Sequence, residues 1–289
     1  MRILITGAGG QLGHDLVAAF HDSVTGAPPR AGHEVVALTR AGLDVADRDQ
    51  VLQVIGHVQP DTVVHAGAWT DVDGCELDAD RAYRVNSLGT RHVAEGARLA
   101  GAGVCYVSTD YVFDGTATSP YREWDEPNPR SVYGRSKLGG ERELDPGSTV
   151  VRTSWVCGLN GRNFVKTILR LAGERDELTV VDDQHGCPTF TPDLAEMIRR
   201  LVVARLPGTF HVTNQGATSW FGFAREILAA AGLDPERVRP IATAGLDPPR
   251  PAPRPANSVL DNAALRLSGM SLLPDYHEPL ERMVKELIR

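Results

Sequence analysis

The chain has few cysteines. Cys75, Cys105, Cys157 and Cys187 are the four present, and no two form a C-x-x-C pair. Neither a zinc site nor a redox dithiol is therefore indicated, and buried free thiols are expected. Long apolar runs are missing too. Ile3-Leu4-Ile5 is too short for a signal h-region and passes straight into glycines, and no later stretch reaches the roughly 18 uninterrupted apolar residues of a spanning helix. A soluble cytoplasmic protein with no membrane partner is expected. Positive charge is not in excess: 30 Lys and Arg against 37 Asp and Glu leave a net charge of −7. That balance offers no general attraction to nucleic acid, and none is expected as a partner. No internal repeat or low-complexity tail is found. Hydrophobic residues at 42% and charged residues at 23% are ordinary globular usage, which excludes disorder, collagen and coiled coil for the chain as a whole.

At 289 residues and a soft prior of roughly 150 per domain, two domains or one with a large insertion are expected. Short β-branched runs alternate with helical patterns: Ile3-Leu4-Ile5, Leu12 to Phe20, Val35 to Leu38, Val51 to Val58, Thr62 to His65. This is βαβαβ, which folds as a parallel sheet covered on both faces. The pattern predicts a helix over Asp80 to Ala100, a strand at Val104 to Ser108, a helix around Tyr133 to Leu144 and a strand at Thr149 to Thr153. After Trp155, helices at Phe164 to Leu171 and Asp193 to Ala204 are separated by longer polar loops. Val180-Val181 and Thr209 to Val212 read as strands, Trp220 to Ala231 as a helix capped by Ser219, and Glu278 to Ile288 as an amphipathic helix. The proline run Asp247 to Pro255 can be neither helix nor central strand and is expected as an extended surface segment or lid. Ser23 to Gly32 is expected as a surface loop. The resulting fold class is α/β, a Rossmann-type doubly wound parallel sheet over residues 1–155. A smaller C-terminal α/β substrate-binding region covers 156–289, and residues near 205–220 return to the sheet.

Gly7, Gly10 and Gly13, in Gly7-Ala8-Gly9-Gly10-Gln11-Leu12-Gly13, follow a predicted strand and open a predicted helix. A pyrophosphate can approach backbone N–H groups there, so dinucleotide binding is expected, although the spacing is G-x-x-G-x-x-G. At the end of the second strand, where an acidic residue would hold a ribose 2′-hydroxyl, Thr39-Arg40 stands instead. Arginine suits a 2′-phosphate, which favours NADPH over NADH. Tyr133 and Lys137 lie four residues apart, on one helical face, and an ammonium near a phenol brings its pKa toward working pH. Upstream, Ser108-Thr109-Asp110-Tyr111 places hydroxyls at the carboxyl edge of a parallel sheet, beside the cofactor crevice.

Other residues carry less. His65, His185 and His211 are not paired at ligand spacing and read as satisfied polar groups. Ser108 lacks the histidine or G-x-S-x-G turn of a nucleophile. Arg250 and Arg254 offer a bidentate fit to phosphate oxygens or belong to a solvated linker.

These residues resemble the extended short-chain dehydrogenase/reductases over nearly the whole chain. The resemblance is carried by Gly7 to Gly13, Ser108 to Gly115 and Tyr133 to Lys137 with Gly140-Glu141. It continues through Arg152-Thr153-Ser154-Trp155, Asn163-Phe164, Asp183 to Thr189 and Arg254 to Ser258. It implies reduction of the C4 ketone of dTDP-6-deoxy-L-lyxo-4-hexulose to dTDP-L-rhamnose by NADPH or NADH. In that scheme Tyr133 is the general acid, Thr109 a donor to the same oxygen, and Lys137 the group that depresses the tyrosine pKa and holds the nicotinamide ribose. Gly10, Gln11 and Leu12 would contact the pyrophosphate and Asp44 and Val45 the adenine, with Ala66, Gly67 and Ala68 completing the cofactor site. Thr70, Val72, Asp110, Trp155, Asn163 and Arg254 would join Thr109 and Tyr133 around the sugar nucleotide. Some members dimerise through a glutamate-bound magnesium. Here Asp15 stands on the first helix and Glu286 lacks assured partners, so no metal is expected, and the chain is read as a monomer or homodimer. Two other readings remain: an epimerase or dehydratase that recycles a tightly held NAD, and a non-catalytic dinucleotide-binding subunit. Keeping Thr109, Tyr133 and Lys137 together argues against the second.

Overall fold

The computed structural model describes residues 1–21 and 32–289. The loop expected over 23–32 lies, but for Gly32, outside the described residues. The first half runs β1 (Arg2–Thr6), α1 (Gln11–His21), β2 (Glu34–Leu38), α2 (Arg48–Val58) and β3 (Thr62–His65). It continues through α3 (Val72–Leu77), α4 (Ala79–Tyr83), a π turn (Arg84–Leu88), α5 (Gly89–Ala100), β4 (Gly103–Thr109), α6 (Val132–Glu141) and β5 (Thr149–Thr153). Next come β6 (Val156–Cys157), α7 (Phe164–Glu174), β7 (Leu178–Val181), β8 (His185–Gly186), β9 (Thr189–Phe190), α8 (Thr191–Val203) and β10 (Gly208–His211). The chain closes with β11 (Thr218–Ser219), α9 (Trp220–Ala230), β12 (Val238–Ile241), α10 (Ala263–Leu267) and α11 (His277–Leu287).

The central sheet has six parallel strands in the order β10-β5-β4-β3-β1-β2. Strand order reverses between β1 and β3, which opens a crevice at their carboxyl ends. Because side chains alternate along a strand, Ile3 and Ile5 of β1 enter one core with Leu16 of α1 and Leu194 and Ile198 of α8. Leu4 enters the opposite core with Val51, Ile55 and Val93. Burial on both faces is why β1 reads as an unbroken apolar run. The chain thus returns to this sheet twice, with α8 against α1 and with β10 beside β5. A further core gathers α7, α9, α11 and β7 around Ile168, Phe223 and Leu280. All four cysteines are buried and free, and among the described residues no helix is long and apolar enough to cross a membrane.

The helix expected over Asp80 to Ala100 is present, running from Ala79 with a π turn inside it. Asp78 breaks the chain between α3 and α4, capping α4 by accepting from the Arg81 N–H, and the π turn interrupts the rest. Its extra residue rotates Leu88 outward and turns Asn86 and Ser87 inward. There Asn86 donates to the Trp69 carbonyl and the Ser136 hydroxyl, and Ser87 donates to the Ser136 carbonyl. Polar anchoring of α6, not an apolar stripe, decides this segment; single π turns recur at such places. The proline run forms neither helix nor strand over 247–256. It crosses to α3, where the Asp73 carboxylate accepts from the Ala252 N–H and from both Arg254 terminal nitrogens.

Candidate active site

Three adjoining hollows, each near 430 Å³, follow the carboxyl edge of the sheet. The turn after β1 forms the floor of two of them. Gly7 sits at φ +70°, and a Cβ there would lie 2.7 Å from the Gly67 nitrogen, so only glycine lets the β1 and β3 turns approach this closely. The first N–H groups of α1 have no intrahelical acceptor and face a positive helix end. This cradle fits a pyrophosphate. One hollow extends from Gly7, Gly10, Ala66, Gly67 and Ala68 to Arg40, Asp44 and Val45. Arg40 is 73% exposed, with Nη2 4.0 Å from Asp44 Oδ2, so a cation stands free to meet a ribose substituent. Sequence reasoning missed that Trp69 and Arg81 close this end, the guanidinium 4.2 Å above the indole centroid. They lie on elements with no motif of their own.

The central hollow brings together Gln11, Leu12, Gly13, Thr70, Val72, Thr109, Asp110, Tyr133, Lys137 and Trp155. Ser131 caps α6, its hydroxyl accepting from the Gly134 N–H, and starts the helix so that Tyr133 and Lys137 face the end of β4. The Thr109 hydroxyl donates to Asp110 Oδ1 at 3.0 Å, accepts from the Tyr111 N–H at 3.2 Å and is also the hydrogen-bond neighbour of Tyr133. Burial holds the Tyr133 phenol well above its ordinary value, with Thr109 pulling the other way. Burial likewise pushes Asp110 up to about 6, against hydrogen bonds from Ser258 and Thr109. Lys137 is held by β4. Its Nζ donates to the Val107 carbonyl at 2.7 Å and rests 4.1 Å from the Tyr106 ring centroid. Burial pulls it down to about 7, opposed by Glu141.

The third hollow continues past Tyr111 and Trp220 to Gln184, Arg250 and Arg254. Trp155 takes a left-handed backbone, φ 46°, and stacks on Trp220 at 3.4 Å between centroids. Its other neighbour explains part of the Asp183 to Thr189 block: a Cβ on Gly186 would lie 2.4 Å from the Trp155 indole. Trp220 could not be picked out of an amphipathic helix by pattern alone. Arg254 reaches the hollow while held by Asp73 at 2.7 Å.

Asn163, expected beside the substrate, is not among the residues that line these three hollows. Its Oδ1 caps α7 by accepting from the Lys166 N–H, and its Nδ2 donates to Gln11 Oε1 and the Gly158 carbonyl, each at 2.7 Å. All its polar atoms are spent on packing α7 against α1. The Gln11 side chain is engaged in the same joint, donating to the Val156 carbonyl, so only its backbone faces the cradle. His65 lies between the Thr6 and Thr90 hydroxyls, and burial draws it down to about 3. His211 sits 3.1 Å from the Tyr121 carbonyl, also at about 3 through burial.

Residues 1–289 match the family described as RmlD substrate binding domain. The spore coat polysaccharide biosynthesis protein SpsK of Bacillus subtilis (strain 168) is 43% identical over 93% of this chain and 92% of its own. A dTDP-4-dehydrorhamnose reductase of Streptomyces griseus is 41% identical over 96% of this chain and 91% of its own. The crystal structure of dTDP-4-dehydrorhamnose reductase from Bacillus anthracis in complex with NADP has TM-score 0.90 and 39% identity, covering 99% of both chains. A family match that runs from end to end, on a parallel sheet whose glycine cradle opens at the strand-order reversal, leads to one assignment: the chain belongs to the RmlD substrate binding domain family.

Proposed function

We propose that this chain uses NADPH to reduce the C4 ketone of a dTDP-linked 4-keto-6-deoxy sugar, the reaction named for its dTDP-4-dehydrorhamnose reductase relatives. The observation that carries the reading is the position of Thr109, Tyr133 and Lys137, midway between a dinucleotide cradle and a second groove. NADPH, when bound, supplies the hydride. As hydride reaches C4, negative charge grows on the ketone oxygen, and donors aimed at that oxygen act mainly in the transition state. Tyr133, kept protonated by burial, is the general acid. Thr109, whose hydrogen rests on Asp110 Oδ1, turns it to the ketone oxygen to share that charge, and Lys137 lines the same hollow. Arg254 and Arg250 suit the diphosphate, and Trp155 with Trp220 walls the sugar.

All of these groups lie in one chain, so we infer a catalytically sufficient monomer, alone or within a homodimer, acting in the cytoplasm. Following NADPH absorbance with a panel of nucleotide-linked 4-keto sugars tests the reading. One NADPH consumed per product supports it. Product formed with no net cofactor use would identify an epimerase or dehydratase, and binding without turnover a regulatory subunit.

A further inference from the structure

Glu141 is a buried carboxylate that the reaction as described does not use. It lies on α6 four residues after Lys137 and eight after Tyr133, on the same helical face. Its side chain is 8% exposed and that of its partner Arg152 is 6%. Arg152 donates from Nε to Oε1 at 3.0 Å and from Nη2 to Oε2 at 2.7 Å, and the Ser108 hydroxyl donates to Oε1. Ser108 and Arg152 are register partners on β4 and β5, each one residue before the next pair, Thr109 and Thr153. One carboxylate therefore clamps α6 to both strands a single residue below the site.

We propose that Glu141 is the positioning residue of the reaction centre: it locks the helix carrying Tyr133 and Lys137 to the strand end carrying Thr109, and it sets a carboxylate one helical turn from the Lys137 amine. A buried pair joined by good hydrogen bonds is weak evidence for stability, since apolar residues of similar volume often serve as well or better. The groups around Lys137 leave the negative charge to Glu141. His65 of β3 is neutral near physiological pH, β4 presents the Tyr106 ring and the Val107 carbonyl, and the π turn packs its uncharged Asn86 and Ser87 against α6. On α6 itself Tyr133 is held protonated. Arg152 of β5 stands behind Glu141 and is neutralised by it.

The inference rests on the proposed role of Lys137, and its test is chosen to be separable from that role. The chain has only three lysines, Lys137, Lys166 and Lys285. Selective 13Cε-lysine labelling of the full chain gives three signals, with Lys137 assigned by its loss in Lys137→Met. The free protein is titrated, so neither substrate nor cofactor enters the measurement. Glu141→Gln, which keeps the shape and an acceptor for Ser108, is expected to move the Lys137 midpoint lower, by up to about one pH unit for the loss of one nearby opposite charge. Glu141→Asp should restore it toward wild type. The alkaline limb of kcat/KM should follow in both variants. If Glu141→Gln does not fold, Arg152→Met, which frees the carboxylate from its competing cation, should move the Lys137 midpoint higher instead. A Lys137 midpoint that stays in place when Glu141 loses its charge overturns the proposal. Full turnover by Lys137→Met would instead overturn the reading of the active site.

Discussion

The indole of Trp155 lies flat on that of Trp220, 3.4 Å between centroids and 7° between planes, and Gly186 alone leaves room for it there. Gly186→Ala should push the pair apart, because an added methyl would meet a rigid ring and not a side chain that can swing away. Overpacking of this kind costs about 1–3 kcal/mol, so the melting temperature should fall. The near-ultraviolet circular dichroism of the stacked indoles should also change, and the sugar-nucleotide KM should rise while NADPH affinity holds. An unchanged spectrum and KM would remove the stack from the substrate wall.

Tyr133→Phe keeps the ring and deletes the transferable proton. General acid catalysis is typically worth about 10²–10⁴-fold, so kcat should drop by that order with NADPH binding nearly intact. Thr109→Val should cost less, since the acid remains. Stopped-flow single turnover reads both. More than about a tenth of wild-type kcat in Tyr133→Phe, well above what that range allows, would mean another group is the acid.

Cofactor choice should depend on Arg40, which is exposed at the ribose end of the cradle. A charge-assisted contact to a 2′-phosphate is worth about 1–3 kcal/mol. Arg40→Ala should therefore raise the KM for NADPH roughly 5- to 150-fold, by the same arithmetic, and hardly change that for NADH. Equal effects on both cofactors would show that the arginine does not read the phosphate.

Lys137 links activity to stability through pH. Burial lowers it from 10.5 to about 7, so between these values the unfolded chain binds a proton that the folded chain has released, and stability gained by this group rises with pH. Below about 7 both forms are charged and the burial penalty is fully present. Lys137→Met should then be more thermostable than wild type at pH 6.5, with the advantage shrinking toward pH 9.5, as melting curves at the two values will read. An advantage that grows with pH would contradict the sign. The same substitution should lower both kcat and cofactor affinity.

Among the described residues no three His, Cys, Asp or Glu side chains gather as a metal-binding group, and proton donors suffice for hydride reduction of a ketone. EDTA should leave the reductase rate unchanged. Loss of activity on chelation, restored by magnesium, would place a metal in the mechanism.

The dinucleotide cradle and the Tyr133/Lys137 pair were legible in the sequence because both are local. A strand, a glycine turn and a helix N-terminus occupy a dozen residues, and an i, i+4 spacing fixes a shared helical face once the helix exists. The same locality explains why β1, β3 and β5 could be recognised as buried runs. Contacts between distant segments were not legible. Asn163 is tied to Gln11, 152 positions earlier. Trp220 becomes a wall only because Trp155 stacks on it. The π turn exists because Asn86 and Ser87 must reach Ser136, about 50 positions on. Glu141 gains its meaning from Ser108 and Arg152 on two neighbouring strands. Sequence by itself determined which residues could do chemistry and on which local element they ride. Only packing decided which way Lys137 turns and what Tyr133 is buried against, because the polar groups that anchor them are brought close by the crossovers of the sheet and not by the chain.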